Sequence, residues 1–208
     1  LVRGNRVYTL MALGHVSQKE DEGPENYFRS LRLLDIKKST ATVQYSDDFS
    51  FSSMVPEKFI RATEEEKEDS TRIHYTSYEP YEVTSYEVIK DLLPPFFWVK
   101  SDTGFYRERA NSAVGFKDSL LRYSVIQNGN IRGVEQLVQL SGGNMVKRMR
   151  YLLHGDTLYT LISFVPGTVI SDETHSAFFE KFRIRDDQIP SSVLRNKAIE
   201  LFEALSGK

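Results

Sequence analysis

Residues 145–165 read MVKRMRYLLHGDTLYTLISFV, and the fold turns on how this stretch is read. Two runs rich in apolar and β-branched residues, Met145–Leu153 and Thr157–Val165, flank His154-Gly155-Asp156. Glycine supplies the positive φ that a tight hairpin turn demands, so the stretch predicts two antiparallel strands. The same grammar extends upstream. Leu120–Gln127 and Gly133–Leu140 are strand-like runs separated by Asn128-Gly129-Asn130, and Ser141-Gly142-Gly143-Asn144 leads into Met145. Four strands joined by short glycine turns form a meander.

Further upstream, Thr42–Tyr45 and Phe49–Phe51 surround the turn cluster Ser46-Asp47-Asp48, and Met54–Phe59 continues as an extended segment interrupted by Pro56. Ile73–Tyr78 and Tyr81–Ile89 are rich in aromatic and β-branched residues and predict strands. The run Glu64–Asp69 reads as a solvated turn or short exposed helix. Downstream of the hairpin, Phe178, Phe179 and Phe182 recur at helical spacing. The segment from Ser191-Ser192 to Leu205 predicts an amphipathic helix with Leu194, Ala198, Leu201, Phe202 and Leu205 on one face. The fold class is α+β, an antiparallel meander packed with helices.

The hairpin phrase occurs twice. Sliding the chain by 151 places sets residues 1–35 against 152–186 without a gap, with identity at ten of 35 positions: LVRGNRVYTL aligns with LLHGDTLYTL. Tyr27 meets Phe178, Phe28 meets Phe179 and Leu31 meets Phe182, so the apolar pattern is kept along with the identities. The shared unit is turn, strand, loop and short helix. Residues 1–35 therefore read as the final strand and helix of a preceding sister module, 36–188 as a complete module, and 189–208 as a C-terminal amphipathic or linker helix. The strand expected at Val7–Met11 needs a partner, because an unpaired edge invites aggregation. It is expected to pack on the complete module or to exchange with a second chain in a homodimer through residues 1–35.

Lys plus Arg number 27 against 29 Asp plus Glu, a net charge of -2, which is the wrong balance for a domain that must neutralise many phosphates. Nucleic acid is not an expected partner. With no cysteine, thiol catalysis, disulfides and thiolate metal sites are excluded. No window approaches the roughly 18 apolar residues of a membrane-spanning helix. An exported or cell-envelope bacterial protein is the expected setting.

The order of Tyr45-Ser46-Asp47-Asp48-Phe49-Ser50-Phe51, Val55-Pro56-Glu57-Lys58-Phe59, the meander, Gly155–Leu161 and Phe178–Arg183 resembles the PsbP-like family. That family is named for an extrinsic photosystem protein and is similar in fold to a Ran-binding nuclear import factor. The resemblance covers residues 45–186. It implies an antiparallel sheet between helices and a module that binds or assembles without a catalytic centre. Leu92–Arg109, with Pro94-Pro95, has no place on the family pattern and is expected to be a loop specific to this protein.

Chemistry is sparse. None of His15, His74, His154 and His175 has another ligand at metal spacing, and His154 and His175 are expected as exposed polar residues. Ser163 lacks the Gly-x-Ser-x-Gly elbow that presents a nucleophile, which leaves a hydrolase as the third reading. Asn128–Gly133 leads into a strand, so it predicts a hairpin turn and not a phosphate cradle. Two features can carry binding. Phe96, Phe97 and Trp98 with Tyr106 form either a ligand site or a core plug below the sheet. Lys147, Arg148 and Arg150 beside Arg122 and Arg132 form either a basic patch or an ordinary solvated sheet face. The expected function is a noncatalytic binding or assembly module whose partner is a protein or a neighbouring module. The alternative is a small-ligand or lipid site around Trp98. No cofactor and no metal are expected.

Overall fold

Met145–His154 and Thr157–Pro166 pair antiparallel, with Leu153 opposite Leu158 and His154 opposite Thr157. Gly155 sits at φ 60° in the turn between them, a backbone state that glycine reaches without a Cβ clash. The computed structural model describes residues 2–3, 6–7, 9–11, 13, 23–32, 39–62, 71–79, 84–168, 170–171, 173–185 and 193–206. The acidic run 64–69, the Asp21-Glu22 and Asp186-Asp187 pairs, residues 81–83, His15 and Ser191-Ser192 lie outside the described residues.

In chain order the elements are β1 (Val2–Arg3), β2 (Arg6–Val7), α1 (Gly23–Ser30), β3 (Thr42–Tyr45), β4 (Phe51–Val55), β5 (Ile60–Arg61), β6 (Arg72–Glu79) and β7 (Thr84–Leu92). There follow α2 (Asp102–Ser112), β8 (Ser119–Asn128), β9 (Ile131–Gln139), β10 (Met145–His154), β11 (Thr157–Pro166), α3 (Glu173–Glu180), β12 (Arg183–Ile184) and α4 (Ala198–Ser206). The main sheet has seven strands in the order β5-β6-β7-β11-β10-β9-β8, with every neighbour antiparallel. β12, β4 and β3 make a three-stranded sheet, and β1 and β2 make a separate hairpin. The meander stands as its turn residues require: Gly129 and Gly142, like Gly155, adopt positive φ.

Side-chain alternation sorts the main sheet into two faces. On one, Tyr75, Val88, Leu161 and Leu152 meet Phe51 and Val55 of β4 and Phe178, Phe179 and Phe182 of the α3 segment. Each of those three phenylalanines is fully buried, and burial of such a ring stabilises the fold by about 1.5–3 kcal/mol. On the other face, Val134, Val138, Met149, Tyr151 and Leu158 pack against Phe105, Tyr106 and Ala110 of α2. Gly133 lets β9 approach β10 closely, because a Cβ there would collide with the carbonyl oxygen of Tyr151.

Three expectations change. Leu92–Arg109 is not only a loop: Ser101 caps α2 by accepting from the Gly104 amide, and the helix closes the second face. Its inward residues fall at positions 105, 106 and 110, and Gly104 interrupts the first turn, so no clear helical period marks it. The C-terminal helix begins at Ala198, where the Asn196 side chain accepts from the Ala198 amide, not at the serines. Val193 and Lys197 are instead drawn down as an irregular strap: the Val99 amide donates to Val193 and Lys197 Nζ to the Pro95 carbonyl. Of the strand expected over Val7–Met11, Val7 lies in β2 and Thr9–Met11 lie outside any strand; among the described residues β1 and β2 pair only with each other, and a two-stranded hairpin is marginal by itself.

Candidate functional site

Glu135 of β9 lies on the α3 face of the sheet, between β8 and β10. The register sets Arg150 opposite Glu135, and sets Leu137 between Arg148 and Arg122. Three guanidinium groups converge on this one carboxylate. Arg122 Nη2 donates to Oε1 at 2.8 Å, while Arg148 Nη2 and Arg150 Nη2 donate to Oε2, each at 2.8 Å. Arg150 reaches on to α3, donating to the Phe179 carbonyl and to Glu180 Oε1, both at 2.7 Å. A cation at the carbonyl end of a helix is favoured by the helix dipole. The Arg148 guanidinium lies 4.2 Å from the centre of the Phe179 ring, a cation–π contact.

Arg148, Arg150 and Glu135 are buried, whereas Arg122 and Glu180 reach solvent. Burial by itself would push the Glu135 carboxyl up, but hydrogen bonds and charge from Arg148 and Arg150 outweigh it and hold the group below the usual range. Three cations face two anions, which leaves one surplus positive charge. Arg148 Nε has no hydrogen-bond partner in its buried position.

The five basic residues grouped in sequence therefore part company. Arg122, Arg148 and Arg150 come together on the α3 face. Lys147 and Arg132 point to the other side, Lys147 Nζ donating to the Ala113 carbonyl at 2.7 Å and Arg132 pairing with Asp102 at 3.5 Å. Neighbours such as Lys147 and Arg148 cannot share a face of a strand. Nor is the face simply solvated, because Glu135 and Phe179 seal it. The aromatic group divides too. Phe97 packs edge-on against Phe105 with centroids 5.9 Å apart, and Tyr106 is buried, its hydroxyl donating to the Arg132 carbonyl and accepting from the Leu153 amide. Burial pushes the Tyr106 hydroxyl up to about 12. Trp98 is half-buried, and Phe96 is exposed.

His175, expected at the surface, is fully buried, and its Nε2 lies 2.7 Å from Ser163 Oγ. This pair joins α3 to β11. Both members are sealed, with Tyr86 and Phe179 rings against the imidazole, so no substrate reaches the hydroxyl. Sequence reasoning missed Glu135, the Ser163–His175 pair and buried Lys197, whose Nζ lies 3.0 Å from Asp156 Oδ1. The sequence carries little signal for Glu135: β9 is covered on both faces, so alternation places Glu135 with Leu137 and opposite Val134 and Val138 without marking either set as exposed. Among the described residues no group of three or more His, Asp or Glu side chains is placed to hold a metal ion. Among them, too, no helix is long and apolar enough to cross a membrane.

No family model and no curated protein sequence matches the chain. Its structure is similar to that of cyanobacterial PsbP from Synechocystis, at 9% identity and a TM-score of 0.48, over 75% of this chain and 99% of that one. It is also similar to the Ran-binding protein Mog1p of Saccharomyces cerevisiae, at 14% identity and a TM-score of 0.45, over 74% of this chain and 100% of that one. With TM-scores this low, the fold class rests on the observed sheets and helices, and the functional reading on this chain's own side chains.

Proposed function

We propose that the chain is a noncatalytic binding or assembly module that meets a sister module through α1. One observation carries this reading. Tyr27, Phe28 and Leu31 are 52%, 45% and 37% exposed, while their counterparts 151 places on, Phe178, Phe179 and Phe182, are 0% exposed. The counterparts lie in equivalent local structure. Val2 pairs with Val7 as Leu153 pairs with Leu158, Arg3 with Arg6 as His154 with Thr157, and α1 shifted by 151 falls within one residue of α3.

The complete copy displays what such a helix asks of its partner. Phe178 meets the Tyr86 ring edge-on at 5.1 Å, Phe179 lies under Arg148, and Phe182 packs on Phe51 and Tyr159. The surface that fits α1 is thus a sheet face of the same kind in a sister module, bearing rings and a guanidinium and not already covered by a helix of its own. The noncatalytic half of the reading is supported by the fate of the reactive groups. The arginines are spent on Glu135 and Glu180, and the Ser163–His175 pair fastens a helix.

The test is a transplant. A chain in which residues 1–35 replace 152–186, a gapless exchange, is expected to fold cooperatively with a lowered Tm. Its companion carries only Phe178→Tyr and Phe182→Leu, the residues of the first copy. If the companion folds and the transplant stays unfolded, α1 is not made for this kind of sheet face, and the reading is wrong.

A further inference from the structure

The main sheet ends at β8, which pairs with β9 on one side and, among the described residues, with nothing on the other. The opposite edge, β5, is two residues long, whereas β8 runs for ten. Long edge strands are normally blunted by lysine, proline or a bulge. β8 has neither lysine nor proline; its one such device is a bulge near its start, where Leu121 has no partner on β9, and Arg122–Asn128 run on in regular register. Leu120, Leu121 and Val125 are 46%, 57% and 53% exposed, and Phe116, just before the strand, is 99% exposed. Such an edge is suited to strand addition.

The sequence of the strand says which strand fits. Residues 121–125 read Leu-Arg-Tyr-Ser-Val, a pattern that is symmetric in polarity about Tyr123. We propose that β8 pairs with β8 of a second copy of this chain, antiparallel about a twofold axis through Tyr123, joining two seven-stranded sheets edge to edge. In an isologous contact each patch must complement itself. About Tyr123, Leu121 falls opposite the second copy's Val125, and Arg122 opposite its Ser124.

Neighbouring registers fail. An axis one residue earlier sets Arg122 opposite Arg122, and one residue later sets Leu121 opposite Gln127 and Arg122 opposite Ile126. Axes between residues are excluded, because they would set an α3-side residue of one copy against an α2-side residue of the other. The charge pattern agrees: Arg122 is the sole charged side chain on β8, its guanidinium is held 2.8 Å from Glu135, and about Tyr123 it faces a serine of the second copy and not the second copy's Arg122. A specific interface begins at about 1,000 Å² in total, and the paired strands with the exposed Leu120, Leu121 and Val125 side chains are what must supply it. This contact does not involve α1, and it stands or falls apart from the sister-module reading.

A chain without cysteine makes the register directly readable. Light scattering at about 100 µM, above the micromolar range open to an interface of this size, is expected to give twice the chain mass. Val125→Lys, at an exposed position, is expected to return it to a monomer with unchanged circular dichroism. Under mild oxidation Tyr123→Cys is expected to cross-link to itself. Because Tyr123 also touches the core, a second pair guards the result: Leu121→Cys and Val125→Cys are each expected to stay uncross-linked alone and to couple when mixed. A monomeric chain, a dimer indifferent to Val125→Lys, or Leu121→Cys joining itself as fast as it joins Val125→Cys would each overturn the proposal. Phe28→Cys serves as the reporter for α1: a dimer cross-linked there and not through β8 would also overturn it.

Discussion

The two copies of the strand–helix unit share a sequence pattern, a hairpin register and a helix position, yet only one is built into a core. In the second copy Phe178, Phe179 and Phe182 are sealed between the main sheet and β4; in the first, Tyr27, Phe28 and Leu31 face solvent. Local sequence thus suffices for turn and helix, and the surrounding strands supply the burial. The first way to break this comparison is a matched pair of truncations. Phe182→Ala is expected to cost about 3–5 kcal/mol in urea unfolding, the range for a buried ring that leaves a cavity. Leu31→Ala is expected to stay within about 0.5 kcal/mol, as exposed sites do. Comparable losses at the two positions would mean that α1 is held by the module after all.

The copies differ also in what lies over the helix. Phe179 has Arg148 above it, and its carbonyl accepts from Arg150; both cations are tied to Glu135. Glu135→Ala is expected to cost about 3 kcal/mol, because it leaves two buried guanidinium groups with only the exposed Glu180 as counter-charge. The pH dependence follows from the same carboxyl. Its pKa is depressed in the folded protein, so between that value and the unfolded value of about 4.3 the unfolded chain binds more protons. The stabilisation is full above about pH 4.3 and is lost as the pH falls through the folded value. Acid titration followed by tryptophan fluorescence is expected to show this slope, and Glu135→Gln to flatten it.

How much of this was legible follows from the range of the contacts involved. The meander and its turns were readable because glycine at positive φ and strand alternation are local properties. α2 was not: its inward residues give no clear period, and it is a core helix only because Phe105 and Tyr106 meet β9 and β10. The site was half legible. Arg148 and Arg150 stand out as basic residues, but grouping them with Lys147 and Arg132 ignores the alternation of a strand, and Glu135 escapes notice because β9 is buried on both faces, so alternation marks no side of it as inward. His175 looked like a surface residue near a helix start. Its burial depends on the serine opposite, which no local pattern announces. Ser163→Ala, which leaves the imidazole Nε2 without that hydroxyl, is expected to cost about 1–3 kcal/mol, while the transplanted first copy, which has Ala12 at the equivalent position, is expected to be insensitive to any change at position 175 made to restore the pair.

The finest distinction between the copies is a single side chain in the turn. The first copy has Asn5 where the second has Asp156, each following a glycine in sequence. Asp156 does one thing more: its Oδ1 meets Lys197 Nζ at 3.0 Å, and Lys197 is 1% exposed, pinned also by the Pro95 carbonyl. Asp156→Asn gives the second copy the residue of the first. The amide oxygen still accepts from Nζ, but the counter-charge is gone, so the expected cost is about 1 kcal/mol, the net difference between a charge-assisted and a neutral hydrogen bond. That loss is expected to appear as faster amide exchange in residues 193–199 with the hairpin turn unchanged. Lys197→Met in the same chain should then recover part of the stability, because it removes the buried charge that Asn cannot balance. A larger loss, with exchange spreading into β10 and β11, would mean that Asp156 holds the turn itself and that the two hairpins are not interchangeable.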